Sequence, residues 1–135
     1  MLNDELIAAV LQIARDAGQS ILSVYDEPVE LTVKADESPL TQADKASHQL
    51  IEQKLRELTP EWQVVSEESD DTVKAKRTVL PIYWLVDPLD GTKEFIKRNG
   101  EFTVNIALIV DGVAVFGVVG VPVQNKLYWG GKDYG

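Results

Sequence analysis

Residues 83–92 read YWLVDPLDGT, and this stretch decides how we interpret the fold. Its first four residues are apolar without alternation, which is typical of a strand that is covered on both faces. An acidic turn over residues 87–90 follows directly. Residues 64–65 form another apolar run, which the acidic residues Glu67 and Glu68 follow closely. The sequence therefore predicts two strands that each end in carboxylates, where a rigid sheet can hold them in fixed positions.

Two helices are predicted on the amino-terminal side of these strands. Apolar residues recur at three- and four-residue spacing over residues 4–25, which predicts an amphipathic helix with a wide apolar face. A second helix is predicted from Thr41 to about Leu58, with Thr41 as N-cap, Asp44 as its capping-box partner and the Thr-Pro pair at 59–60 as the stop. Its predicted buried residues are Ala43, Ala46, Leu50, Ile51, Leu55 and Leu58.

Further strands are predicted in the carboxyl-terminal third of the chain. Residues 103–110 and 113–119 flank Asp111 and Gly112, a pair that favours a tight hairpin because both turn positions need a positive φ. Residues 127–129 begin another strand. The order of two helices followed by strands predicts an α+β fold, with two N-terminal helices packed on a mainly antiparallel sheet.

Composition excludes several classes of function. The chain has 135 residues, with 22 acidic and 13 basic side chains and a net charge of −9, which argues against binding to nucleic acid or to anionic lipid. It has no cysteine and one histidine, so disulfides, a thiol nucleophile and a multi-histidine metal site are excluded. No apolar stretch has membrane-spanning length and the N-terminus does not resemble a signal peptide, so a cytoplasmic location is expected.

The acidic turn has the chemistry of a metal site. Asp87 and Asp90, with the carbonyl of Leu89 between them, can converge on one hard cation such as Mg²⁺. Taken alone, the turn is better interpreted as an Asx turn, and Glu67-Glu68 as a solvated acidic loop. Metal binding is favoured because both clusters follow apolar, strand-like runs.

Several nearby residues could contribute to catalysis. If a helix starts at Gly91-Thr92, its N–H groups can bind phosphate, although Thr92 could also be only a helix cap. Lys93 supplies local positive charge. Asp44 can be a general base or simply a first-turn carboxylate. His48 is interpreted as a surface or boundary residue without a role.

These residues together resemble a known family. Residues 87–92 and the Glu67-Glu68 pair are similar to the signature of the lithium-sensitive, Mg²⁺-dependent phosphatases of the inositol monophosphatase superfamily. The stretches KADESPLTQAD at 34–44 and KEFIKRNGEFTVNIAL at 93–108 resemble the CysQ-type 3′(2′),5′-bisphosphate nucleotidases within it. Inositol monophosphatases typically have Thr-Asn-Phe in place of residues 93–95.

The resemblance implies a role for each matching residue. Two or three Mg²⁺ ions would be bound by Glu67, Asp87, the Leu89 carbonyl and Asp90, and Asp44 with Thr92 would activate the attacking water. Glu68 and Lys93 are secondary candidates. The implied substrate-binding residues are Glu67, Leu89, Asp90, Gly91 and Thr92.

The resemblance also implies a fold and a reaction. The chain would be the N-terminal metal-binding domain, residues 1–135, of a layered αβαβα phosphatase, with the C-terminal domain and its last metal-binding Asp absent from this chain. The implied reaction is hydrolysis of the 3′-phosphate of adenosine 3′,5′-bisphosphate, or of its phosphosulfate, to AMP and phosphate in sulfur-nucleotide recycling. Peripheral attachment to the cytoplasmic face of the inner membrane is compatible with the resemblance, and the oligomeric state is open. The alternatives are an inositol monophosphatase-type phosphatase and an inactive fragment that only binds metal.

Overall fold

The computed structural model describes residues 3–25, 39–66, 80–90 and 102–131. In chain order they form helices α1 (Asp4–Tyr25) and α2 (Pro39–Leu58), strands β1 (Gln63–Ser66), β2 (Ile82–Asp90), β3 (Thr103–Val110) and β4 (Val113–Val121), a 3₁₀ helix (Pro122–Gln124) and strand β5 (Lys126–Gly131). The strands form one sheet in the order β1-β2-β3-β4-β5. Strand β1 is parallel to β2, and the other neighbours are antiparallel.

The two helices cover one face of this sheet and form the main hydrophobic core with it. Val10, Ala17 and Ile21 of α1 are completely buried, as are Ile51 and Leu55 of α2. They belong to the same core as the inward-facing side chains of β2, β3 and β4. This agrees with the sequence, since a helix with a wide apolar face must pack against a layer. The predicted α+β arrangement is therefore confirmed.

Strand β2 is buried on both faces, as its non-alternating sequence predicts. Trp84 belongs to the main core, whereas its neighbour Tyr83 packs on the opposite face with Val65 and Ile109. The indole Nε1 of Trp84 donates a 2.9 Å hydrogen bond to Thr59 Oγ1, which satisfies the only polar atom of that side chain. This strand is the rigid centre from which the acidic residues extend.

Helix α2 begins earlier than predicted. Its first residue is Pro39, which suits this position because its φ angle is fixed near helical values and it needs no partner for an N–H group. Thr41 therefore lies inside the helix, and Asp44 is not in the first turn, so the capping-box interpretation was wrong. The end at Leu58 is confirmed, but Leu58 itself is 36% exposed rather than buried.

The hairpin between β3 and β4 is confirmed in detail. Asp111 and Gly112 have φ angles of 50° and 80°, as the mirror-image turn requires. The backbone N–H of Asp111 donates a 2.8 Å hydrogen bond to the carbonyl of Pro81, just before β2. The hairpin thus lies at the amino end of β2, far along the strand from Asp87. In the part of the chain that is described, no helix is long and apolar enough to cross a membrane.

Candidate metal centre

The parallel pairing of β1 and β2 determines where acidic residues can meet. Ser66, the last residue of β1, lies opposite Val86, and β2 continues for four more residues to Asp90. Parallel strands end at the same edge of a sheet, so Ser66 lies next to the place where β2 reaches Asp87. We refer to the ends of these two strands, residues 66 and 87–90, as the carboxyl edge.

The acidic segment is a bulged strand end, not the predicted turn. Asp87 pairs with Asn105 of β3, and Asp90 pairs with Thr103, so three steps along β2 match two steps along β3. One extra residue in one strand is a β-bulge. Pro88 fits at this irregularity because a bulge leaves room for a residue that cannot donate a ladder hydrogen bond.

The bulge brings the two carboxylates to the same face of the sheet. In a regular strand, residues three positions apart point to opposite faces. Here the partners Asn105 and Thr103 are two positions apart, and their side chains join in a 3.0 Å hydrogen bond. Because cross-strand partners share a face, Asp87 and Asp90 also share one. Asp87 is half-buried and Asp90 is exposed, so this pair of carboxylates opens towards solvent.

The middle of the bulge is anchored to the protein interior. The side chain of Leu89 is 3% exposed and belongs to the main core. The carbonyl of Pro88 accepts a 2.7 Å hydrogen bond from Ser47 Oγ of α2, and Ser47 is completely buried. The bulge is therefore tied to a helix as well as to the neighbouring strand.

Asp44 lies on the face of α2 that contacts the carboxyl edge. Residues three and four positions apart share one face of a helix, so Asp44, Ser47 and His48 are neighbours on α2. Ser47 contacts the bulge of β2, and His48 contacts Ser66 at the end of β1. Asp44 itself is half-buried, and its Oδ1 atom is shielded from solvent. The structure thus places Asp44 on the face of α2 that meets the carboxyl edge.

The contact made by His48 was missed in the interpretation of the sequence. Its Nδ1 lies 3.1 Å from Ser66 Oγ, and its Nε2 lies 2.9 Å from Glu52 Oε2. Glu52 in turn pairs with Arg56 at 2.7 Å. A signal for this network exists in the sequence, because polar residues recur every four positions at Asp44, His48, Glu52 and Arg56.

The remaining predicted site residues, Glu67, Glu68, Gly91, Thr92 and Lys93, lie outside the described residues, and their roles stay predictions. Within the described ranges, no three acidic, histidine or cysteine side chains come together as a metal site. The donors at the carboxyl edge are carboxylate and carbonyl oxygens, which fit a hard cation such as Mg²⁺ and not a metal that prefers nitrogen or sulfur. Two carboxylates plus substrate phosphate are a usual ligand set for Mg²⁺.

Comparison with known proteins gives a consistent family. The inositol monophosphatase family model matches residues 2–135. The chain is 54% identical over 125 residues to the 3′(2′),5′-bisphosphate nucleotidase CysQ of Escherichia coli K12, covering 91% of this chain and 50% of that protein. It is 36% identical to the CysQ nucleotidase of Haemophilus influenzae, over 99% of this chain and 50% of the relative. The chain thus spans about half the length of the curated relatives it matches.

Solved structures show the same relationship. The crystal structure of CysQ from Bacteroides thetaiotaomicron superimposes with a TM-score of 0.81 at 47% identity, over 93% of this chain and 45% of that one. Inositol monophosphatase II of Staphylococcus aureus gives a TM-score of 0.82 at 26% identity, over 98% and 48%. On the family match, the sequence identities and the shared fold, this chain belongs to the inositol monophosphatase family.

Proposed function

We propose that this chain carries the catalytic metal-binding half of a Mg²⁺-dependent 3′(2′),5′-bisphosphate nucleotidase. The substrate would be adenosine 3′,5′-bisphosphate, or its phosphosulfate, and the products of the former would be AMP and phosphate. The observation that carries the proposal is the bulge of β2, which puts Asp87 and Asp90 on one face at the edge where β1 also ends. The names of the CysQ relatives supply the substrate class.

The proposed metal ligands are oxygen atoms only. Glu67, Asp87, the Leu89 carbonyl and Asp90 would hold two or three Mg²⁺ ions. When bound, these ions supply positive charge to the phosphate oxygens and favour ionisation of a water molecule. Local charge of this kind is needed because the chain is strongly acidic, with a net charge of −9, and would otherwise repel an anionic substrate.

The protein residues position the water and accept its proton. In the proposed reaction, Thr92 orients the water and the carboxylate of Asp44 takes up its proton. The water oxygen forms the new bond to phosphorus, and the bond between phosphorus and the ribose 3′-oxygen breaks. The released 3′-oxygen takes a proton from solvent. Gly91 and Thr92 would hold the phosphate through hydrogen bonds, and Lys93 would add positive charge.

A phosphatase that acts on inositol phosphates is the second candidate. The TM-score of 0.82 with the Staphylococcus aureus inositol monophosphatase favours it. The sequence KEF at residues 93–95 favours the nucleotidase, because inositol monophosphatases typically have Thr-Asn-Phe there. An assay of phosphate release separates the two candidates. It compares adenosine 3′,5′-bisphosphate with inositol 1-phosphate as substrates of the protein in the form in which its host cell makes it.

The metal assignment has its own test in Asp87→Asn. This substitution removes a negative charge from the proposed metal ligands and should reduce turnover to background at every Mg²⁺ concentration. Asp111→Asn is the matched control, since it makes the same chemical change at an exposed turn at the other end of β2 and should leave turnover unchanged. Near-normal turnover in Asp87→Asn would show that the metal assignment is wrong.

A cytoplasmic location and a role in sulfur-nucleotide recycling belong to the same proposal. The recycling role depends on the nucleotidase activity, so the substrate comparison tests it, whereas fractionation of cells tests the location.

A further inference from the structure

His48 is held at both ring nitrogens by the contacts described above. Glu52 Oε2 lies 2.9 Å from Nε2, and Ser66 Oγ lies 3.1 Å from Nδ1. Arg56 fixes the other carboxylate oxygen of Glu52 at 2.7 Å. The result is a continuous chain of contacts, Arg56–Glu52–His48–Ser66, that begins on the surface of α2 and ends inside the sheet.

The chemistry of these groups sets the direction of each hydrogen bond. An ionised carboxylate can only accept, so Nε2 of His48 carries a proton and donates it to Glu52. In the neutral ring, Nδ1 then has a free lone pair and accepts the hydroxyl proton of Ser66. In this form the ring is an acceptor for Ser66, which is only 1% exposed.

Ser66 occupies a special place in the sheet. Within the described part of the chain it ends β1, where it pairs with Val86 of β2. The next residue in the chain is Glu67, the proposed metal ligand. Hydrogen bonds that orient the groups around a metal ligand typically change metal affinity by about 10- to 100-fold when they are lost.

We propose that His48 is a positioning residue for the metal site, acting through Ser66 on the segment that carries Glu67. This inference rests on the proposed function, because it assumes that Glu67 binds metal. His48 does not touch substrate or metal in this scheme. Its effect is to hold Ser66, at the end of β1, in place beside Val86 of β2.

Two substitutions of His48 separate its two contacts. In His48→Gln, the amide nitrogen can take the place of Nε2 and keep the bond to Glu52, while the acceptor for Ser66 is lost. In His48→Asn, the amide oxygen can take the place of Nδ1 and keep the bond to Ser66, while the contact with Glu52 is lost. The two variants thus form a matched pair, each keeping one of the two contacts.

We would measure the binding of Mn²⁺, without substrate, to the protein in the form in which its host cell makes it. The electron paramagnetic resonance signal of the free ion monitors the binding. We expect His48→Gln to weaken Mn²⁺ binding about tenfold, and His48→Asn to stay within about twofold of the parent. Thermal unfolding is recorded in parallel. Ser66→Ala should weaken binding as His48→Gln does, and combining the two should cause no further loss, because both remove the same link.

The possible outcomes are distinct. Equal weakening in His48→Gln and His48→Asn, following their melting temperatures, would overturn the inference, because His48 would then serve only the stability of the fold. Unchanged Mn²⁺ binding in His48→Gln, with loss of binding in Asp87→Asn, would overturn it and leave the proposed function standing. A parent protein that binds no Mn²⁺ would overturn both.

Discussion

Substitution of Ser47 by alanine tests the link between α2 and the bulge of β2. The hydroxyl of Ser47 donates a 2.7 Å hydrogen bond to the carbonyl of Pro88, and Ser47 is completely buried. Pro88 is also buried, so water cannot easily replace the lost donor. The substitution therefore leaves a carbonyl at the centre of the bulge without this donor.

The expected magnitude follows from two opposing terms. A buried acceptor that loses its donor costs about 1–3 kcal/mol of stability. Alanine is a better helix former than serine, which returns roughly 0.5 kcal/mol in the interior of α2. The free energy of unfolding, measured by urea unfolding of the protein in the form in which its host cell makes it, should thus fall by about 0.5–2.5 kcal/mol.

A matched control is available in α1. Ser20 Oγ donates a 2.8 Å hydrogen bond to the carbonyl of Ala17 one turn earlier, entirely within its own helix. Ser20→Ala makes the same chemical change but severs no link between elements, so its effect should remain within about 0.5 kcal/mol. If Ser47→Ala were as stable as Ser20→Ala, the bond to Pro88 would contribute nothing, and our reasoning about the bulge would be refuted.

Two further predictions concern the proposed base and the packing of β2. Asp44→Ala should lower turnover by about 10²- to 10⁴-fold while Mn²⁺ binding is retained, because the attacking water loses its proton acceptor; unchanged turnover would show that Asp44 is not the base. Trp84→Phe should reduce the free energy of unfolding by about 1–3 kcal/mol, because it removes the donor to the buried Thr59 hydroxyl and leaves space in the core. The double variant with Thr59→Val should lose less than the sum of the two single changes, and additive losses in urea unfolding would contradict this prediction.

The parts of the fold that depend on local patterns could be predicted from the sequence. The three- and four-residue spacing of apolar residues in α1 and the Asp111-Gly112 turn each identify an element without knowledge of its neighbours. The covered strand β2 was predicted for the same reason, because a short apolar run without alternation needs a layer on each face. These signals lie within a few residues of the structure they specify.

The start of α2 could not be decided in this way. Pro39 at the first position and Thr41 as N-cap are both ordinary ways to begin a helix, and they differ by two residues. In the structure α2 begins at Pro39, so Asp44 cannot be explained as the capping-box partner of an N-cap at Thr41. That negative result matters for the site, since the simplest structural reason for a carboxylate at this position no longer applies.

The bulge and the role of His48 could not be predicted because they depend on distant partners. The segment at 87–90 reads as a turn in isolation, and only its register against Asn105 and Thr103 shows that the strand continues with one extra residue. The contact between His48 and Ser66 likewise joins residues 18 positions apart. A spacing pattern on one helix can show which residues share a face, but not what that face meets.

A single turn of α2 makes contact with both strands of the carboxyl edge. Adjacent residues of that turn bond to β1 at Ser66 and to β2 at Pro88. Sheet hydrogen bonding at this edge is interrupted in one place, because the ladder of β2 with β3 contains the bulge between Asp87 and Asp90. The bonds from Ser47 and His48 therefore add to the support that the sheet gives the strand ends. The geometry of the carboxyl edge therefore depends on the placement of α2 as well as on the sheet.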